Sequence, residues 1–229
     1  MKKLTVLLIV LIFCIPAFAG ETQLEKATNI VNEIMSTPDK GIPQEMFEKA
    51  VCVGIVPSQV KFALGIGGTY GRGVLVCRKG GNGAWGAPSM FTLGAASIGF
   101  QIGGKATDVV FLVMNPEGAK KLVQDSVKLG AEASVTAGPV GRSAEGATDA
   151  QLHAEILSYS RTRGLFAGLS LDGAVVKQDK DDNRQLYGRE ITAREILIEG
   201  AVRPPASAQT LDRTLARYSP KGGHTFGRV

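Results

Sequence analysis

The sequence predicts an α+β fold: a strongly coiled, glycine-rich antiparallel sheet or small barrel with flanking helices. Three observations point there. Amphipathic helical periodicity is confined to the two ends of the chain and to short stretches between strands. The middle is a series of β-branched and aromatic runs bounded by turn residues. Within those runs small residues crowd alternate positions, as in GIGGTYGRG at 65–73. There one strand face carries Gly65, Gly67, Gly71 and Gly73, and the other Ile66, Tyr70 and Arg72. Glycine weakens a strand unless another backbone must come close or the sheet must bend sharply. A row of them therefore marks a curled sheet with an element laid against its bare face.

The elements follow in order. Lys2 and Lys3, the apolar run from Leu4 to Phe13 and Ala17-Phe18-Ala19 form a secretory leader, residues 1–19, with cleavage before Gly20. The run is too short to span a bilayer, which needs roughly 20 residues. Cys14 follows the bulky Phe13 and not the small residue that lipidation requires. The expected location is the periplasm, free or peripheral on a membrane. One domain over 20–218 and a flexible basic tail over 219–229 complete the organisation. Leu24, Ala27, Val31, Ile34 and Met35 share one face of a helix over 21–36, closed by Pro38 and Gly41. A short helix follows Pro43. Strands are expected in VCVGIVP, FALGIGGTYGRGVLVCR, FTLGAASIGFQIGG and DVVFLVM, with RKGGNG as a hairpin-type loop. Asn115-Pro116 opens a helix. GAEASVTAGPVG, AEILSYSRT and GLFAGLSLDGAVV read as further strands. Thr192 and Glu195 form a capping box, and an amphipathic helix with Leu211, Leu215 and Tyr218 ends the domain.

Composition narrows the functional classes. Removing Lys2 and Lys3 with the leader leaves 24 Lys+Arg against 21 Asp+Glu, a net charge of +3. That mild excess suits an anionic surface but not nucleic acid, whose binders cluster Lys and Arg on one face. Dinucleotide and phosphate-loop motifs fail: Tyr70 occupies the last glycine position of G-x-G-x-x-G, and no Gly-Lys-Ser/Thr follows. The nucleophile elbow breaks at Asp172, and only His153 and His224 are available as bases. No catalytic residues and no cofactor are expected. Cys52 and Cys77 sit in expected strands, where a disulfide and a pair of small buried thiols remain alternatives.

Two constellations stand out. Arg72, Arg78 and Lys79, Lys105 at the end of the next strand, and Arg161 and Arg163 at the SYSRTRG turn would form an anion-binding rim if the turns converge at one end of the sheet. Each Lys or Arg near an anionic lipid surface is worth about 1 kcal/mol. Asp179, Asp181, Asn183 and Glu190 occupy positions 1, 3, 5 and 12 of a calcium loop. Arg184 replaces the glycine such a loop needs at position 6, so a solvated turn is the expectation there.

GGTYGRGVLVCR, GAWGAPSMFTLG, GFQIGGKATDVVFLVMN, SVTAGPVGR, AEILSYSRTRGLFAGLSLDGAVV, DDNRQLYG and ITAREIL together resemble the SYLF lipid-binding domain family, in the same order and over most of residues 24–217. Eukaryotic members carry the domain beside SH3 or FYVE modules. They bind phosphoinositides through an amphipathic N-terminal helix and basic residues, and in yeast they act on actin. For a secreted chain the resemblance implies a non-enzymatic role on acidic phospholipid or at a membrane. A structural or assembly factor that binds a protein or polymer at the envelope is the rival, and a hydrolase with an unrecognised site the weaker one.

Overall fold

A computed structural model describes residues 19–36, 41–64, 66–98, 106–141, 151, 153–162 and 165–220. The leader up to residue 18, the tail after residue 220, Lys105 and Arg163 lie outside the described residues.

Helix α1 (Ala19–Ser36) and a short α2 (Gln44–Lys49) precede a long hairpin of β1 (Cys52–Leu64) and β2 (Ile66–Cys77). Then come β3 (Ser89–Ile98), β4 (Ala106–Val113), α3 (Pro116–Leu122), β5 (Ser126–Lys128) and β6 (Val135–Ala137). Strands β7 (Ile156–Thr162), β8 (Leu165–Gly168) and β9 (Val175–Gln178) complete the sheet. Helices α4 (Lys180–Tyr187), α5 (Ala193–Leu197) and α6 (Gln209–Tyr218) follow.

The nine described strands form one sheet in the order β5-β9-β3-β2-β1-β4-β7-β6, with β8 also on β7. Among the described strands all pairs are antiparallel except β6–β7. The first half of β7 pairs with β6 and its second half with β8, so the two strands share one edge. The sheet curls strongly into an open half-barrel, and the α+β expectation holds.

Three local expectations change. FALGIGGTYGRGVLVCR is not one strand but parts of both arms of the β1–β2 hairpin, in which Leu64 faces Ile66. GLFAGLSLDGAVV likewise divides into β8 and β9 around Gly173, whose φ of +79° makes the turn. The acidic DKDDNR segment is helix α4, capped by Asp179, whose Oδ1 accepts from the Asp182 amide at 3.0 Å. Other signals hold as read. Asn115 caps α3 and Thr192 with Glu195 forms the capping box of α5.

Elements pack against both faces of the sheet. On one, Val53, Ile55, Val74, Val76, Val110 and Leu112 pack under α1, α2 and α6. Leu24, Ala27, Ile30, Val31 and Ile34 of α1 are all buried there, so this helix spends its apolar face on the core. On the other, Leu75, Phe91, Leu93, Val109 and Phe111 pack with α3, α5, β5 and β9. Here the glycines find their use. A Cβ on Gly54 would lie 2.1 Å from the Phe111 ring, and one on Gly73 2.6 Å from that of Phe91. The bare positions hold these two rings, which meet edge-on at 5.5 Å. A bulge interrupts β1 where Pro57 and Ser58 break the ladder, and the Asp108 carboxylate accepts from the Ser58 amide at 2.8 Å.

Cys52 and Cys77 stand opposite each other in the β1–β2 register and are joined by a disulfide, which resolves the alternative left by the sequence. The bridge closes a separation of 25 residues.

Gly54→Ala should destabilise the fold by roughly 1–3 kcal/mol, because the Phe111 ring has to move. Gly94→Ala, whose new Cβ meets nothing nearer than 3.8 Å, should leave urea unfolding almost unchanged. Replacing both cysteines by alanine should lower stability by about 3 kcal/mol through the loop-closure effect. Reducing agent should produce the same loss in the wild type and none in the double variant.

Candidate functional site

Of the six basic residues singled out by sequence, Arg72, Arg78, Lys79 and Arg161 are among the described residues, and Lys105 and Arg163 are not. Arg72, on β2, reaches over the start of α4 and pairs with Asp179 at 3.3 Å and Asp182 at 3.2 Å. Burial works against its charge, but the two carboxylates outweigh this and raise its pKa. Asp182 is buried at 4% side-chain exposure, and burial, with Asp179 alongside, raises its pKa although Arg72 opposes the shift.

Arg78 leaves the candidate set. It is 3% exposed and serves the interior of the fold. Its Nε donates to the Ala50 carbonyl at 3.1 Å and its Nη1 to that of Gly83 at 3.1 Å. Its Nη2 donates to the Ser219 carbonyl at 3.0 Å and to the Ser219 hydroxyl. The guanidinium lies 4.1 Å from the centre of the Trp85 ring, whose Nε1 donates to the same Ser219 carbonyl. One buried cation thus ties together the end of α2, the loop after β2 and the end of α6. Arginine is suited to this because its planar fork serves several carbonyls at once and stacks on an aromatic face.

Arg161 is also engaged, with Glu33 of α1 and with Asp108 of β4 at 3.2 Å. It helps fix α1 on the sheet. Lys79 is exposed at the start of the turn after β2, at the opposite end of that strand from the β1–β2 turn. Arg72, Arg78 and Arg161 therefore serve separate internal contacts.

The calcium-like quartet is dispersed: Asp179 is the cap of α4, Asp181 and Asn183 lie on it, and Glu190 follows it. Asp179 caps α4 and holds Arg72, and Asp181 pairs with Arg184 at 2.9 Å. Glu190 pairs with the other arm of Arg184 at 2.8 Å. Asn183 is buried and its Oδ1 accepts from the Met90 amide at 2.7 Å. Among the described residues no three His, Cys, Asp or Glu side chains gather as a metal site.

Two concavities stand out among the described residues. An apolar hollow of about 150 Å³ lies over the disulfide, between Val51, Pro116, Ala119 and Leu197. A wider groove of about 650 Å³ runs beside the start of α4, walled by Tyr70, Thr92, Asp125, Lys177, Asp179 and Lys180. Asp125 is held by Lys180 at 2.9 Å. The exposed Tyr70 and Lys177 were missing from the sequence candidates. Tyr70 was visible as part of the bulky face of its strand, but Lys177 comes beside it only through the β9–β3 pairing, which joins residues far apart in sequence.

The fold and these side chains define an α+β domain built on one curled sheet, in which Arg72, Arg78 and Arg161 serve its own packing. The chain belongs to the Ysc84 (SYLF) family, described as "Las17-binding protein actin regulator", which matches residues 94–218. It is 35% identical over 192 residues to LAS seventeen-binding protein 3 of Saccharomyces cerevisiae, covering 81% of this chain and 41% of that protein. It is 34% identical to Protein YSC84 of the same yeast, over 77% of this chain and 38% of that one. SH3 domain-containing YSC84-like protein 1 of Homo sapiens is 31% identical over 207 residues, 88% of this chain and 60% of that one. The chain thus spans between about two and three fifths of the length of these relatives.

Arg78→Lys keeps the charge and loses the fork. It should cost on the order of 2–3 kcal/mol, because several buried acceptors lose their donors. Arg78→Met should cost at least as much. Thermal melting checks this, with an expected fall of more than about 4 °C at this chain length.

Proposed function

We propose that this protein is a non-enzymatic module of the cell envelope that docks on anionic phospholipid surfaces. The observation that carries this reading is a sheet face on which Tyr70, Val60 and Val175 stay in solvent close to the exposed Lys177. A soluble domain keeps such side chains together where a partner covers them. The basic excess of the chain outside its leader, +3, favours an anionic partner. The leader-type N-terminus and the Cys52–Cys77 bridge support a location in an oxidising compartment, where disulfides persist. The SYLF resemblance supports acidic lipid as the ligand class.

A second reading is a protein partner, favoured by relatives whose printed names describe Las17 binding. Vesicle flotation separates the two. On the lipid reading the protein floats with phosphatidylglycerol-containing vesicles, stays behind with pure phosphatidylcholine, and is released by salt as screening shortens the reach of its charges. A protein that never floats but co-purifies with an envelope protein through a high-salt wash sinks the lipid reading in favour of the second.

A further inference from the structure

Arg78 is a buried cation without a counter-ion. It is 3% exposed, and it donates to neutral groups, the carbonyls of Ala50, Gly83 and Ser219 and the Ser219 hydroxyl. Among the described residues no carboxylate reaches it within ion-pair distance. Burial pulls its pKa below the ordinary arginine value, and Glu48, acting from farther off, opposes this only in part. A charge taken out of water is normally paired, because its lost hydration has to be replaced. The surroundings of Arg78 are therefore electropositive, in a setting that screens poorly.

Those surroundings include the apolar hollow over the disulfide. Arg78 lines it, and so does Lys120 of α3, an exposed side chain whose ion pair is with the equally exposed Glu117. The wall thus holds two cations and, among the described residues, no carboxylate. Cys52, Cys77, Val51, Ala119 and Leu197 make the rest of it apolar. Gly80 and Gly81 close it at the turn after β2, with φ of +63° and +82°, which glycine adopts without strain. A Cβ on Gly81 would come to 4.0 Å from both Val51 and Pro116. The turn that calls for glycine therefore also keeps this space open. Its volume, about 150 Å³, is that of an apolar protein cavity able to hold one benzene molecule.

We propose that this hollow binds a small organic acid as its anion, with one ring or a short branched chain inside and the carboxylate toward Lys120, in the positive field of Arg78. The volume limits the apolar part, and the charges of the wall set the sign of the head. A free small molecule is the occupant because, of the exposed large apolar side chains among the described residues, Ile198 alone stands in this wall. A stable protein interface buries roughly 800 Å² on each partner. The site lies on the side of the sheet that carries α3 and α5, and it stands independently of the lipid reading above.

Benzoate, benzylammonium and 4-phenylbenzoate are the probes, added to the whole chain and followed by NMR of the Val51, Leu197 and Ile198 methyl groups. Benzoate should shift these methyls in a saturable way. Benzylammonium, of similar size and opposite charge, should bind at least tenfold more weakly, and so should 4-phenylbenzoate, whose second ring exceeds the hollow. Lys120→Met should weaken benzoate binding about fivefold with unchanged melting, since an exposed pair such as Lys120–Glu117 contributes little to stability. Ala119→Leu should abolish binding by filling the space. If that variant does not fold, Lys120→Met and the comparison with benzylammonium decide the matter.

The inference is overturned if benzoate leaves the three methyls unmoved, or if benzylammonium binds as well as benzoate. It is overturned too if benzoate shifts other residues and still binds the folded Ala119→Leu variant. If no probe binds while Ile198→Asp releases an envelope protein that the wild type retains, the hollow is a socket for a protein partner and the small-molecule assignment falls.

Discussion

The structure depends on two aromatic rings meeting inside a curled sheet. Phe91 and Phe111 come from strands that do not pair with each other, with β2 and β1 between them. Their rings reach across those strands only because Gly54 and Gly73 leave the surface bare beneath them. An ordinary side chain at either glycine would hold a ring off the sheet. The entropic weakness that glycine brings to a strand is thus offset by an aromatic contact and by the close packing it permits. The strong curl of the sheet accompanies this arrangement.

Around that centre the charged groups hold elements in place. Arg78 joins pieces separated by 141 residues in the chain, since Ser219 is among its acceptors. Arg161 and Asp108 work at the other side, where Asp108 also steadies the bulge at Ser58. Arg72 fastens β2 to the start of α4. Arg72, Arg78 and Arg161 thus act as multi-donor braces, while Arg189, Arg194, Arg203, Arg213, Arg217 and the exposed lysines face solvent.

Much of the fold was legible because its signals are local. The periodicity of α1, the cap at Asn115, the capping box at Thr192 and the alternation of bare and bulky positions in β2 each depend on residues a few positions apart. The hairpin boundaries were harder, since Pro57 inside β1 reads as a strand end and only the bulge lets the strand continue through it. The acidic stretch at 179–183 misled because aspartates crowd both turns and the first turn of helices. The site was least legible. Whether Arg78 faces water or the core depends on Ser219 and Trp85, and the approach of Lys177 to Tyr70 depends on β9 pairing with β3. Neither relation leaves a trace in local sequence.

The placement of the two terminal helices has a consequence for how this domain combines with others. Helices α1 and α6 pack on each other and on the same face of the sheet. The two terminal helices therefore lie on one side of the sheet, away from the side where α3, α5 and the short strands lie. Domains with this property are readily joined to further modules, because neither connection threads through the core. A longer human relative, of which this chain matches 60%, names an SH3 domain.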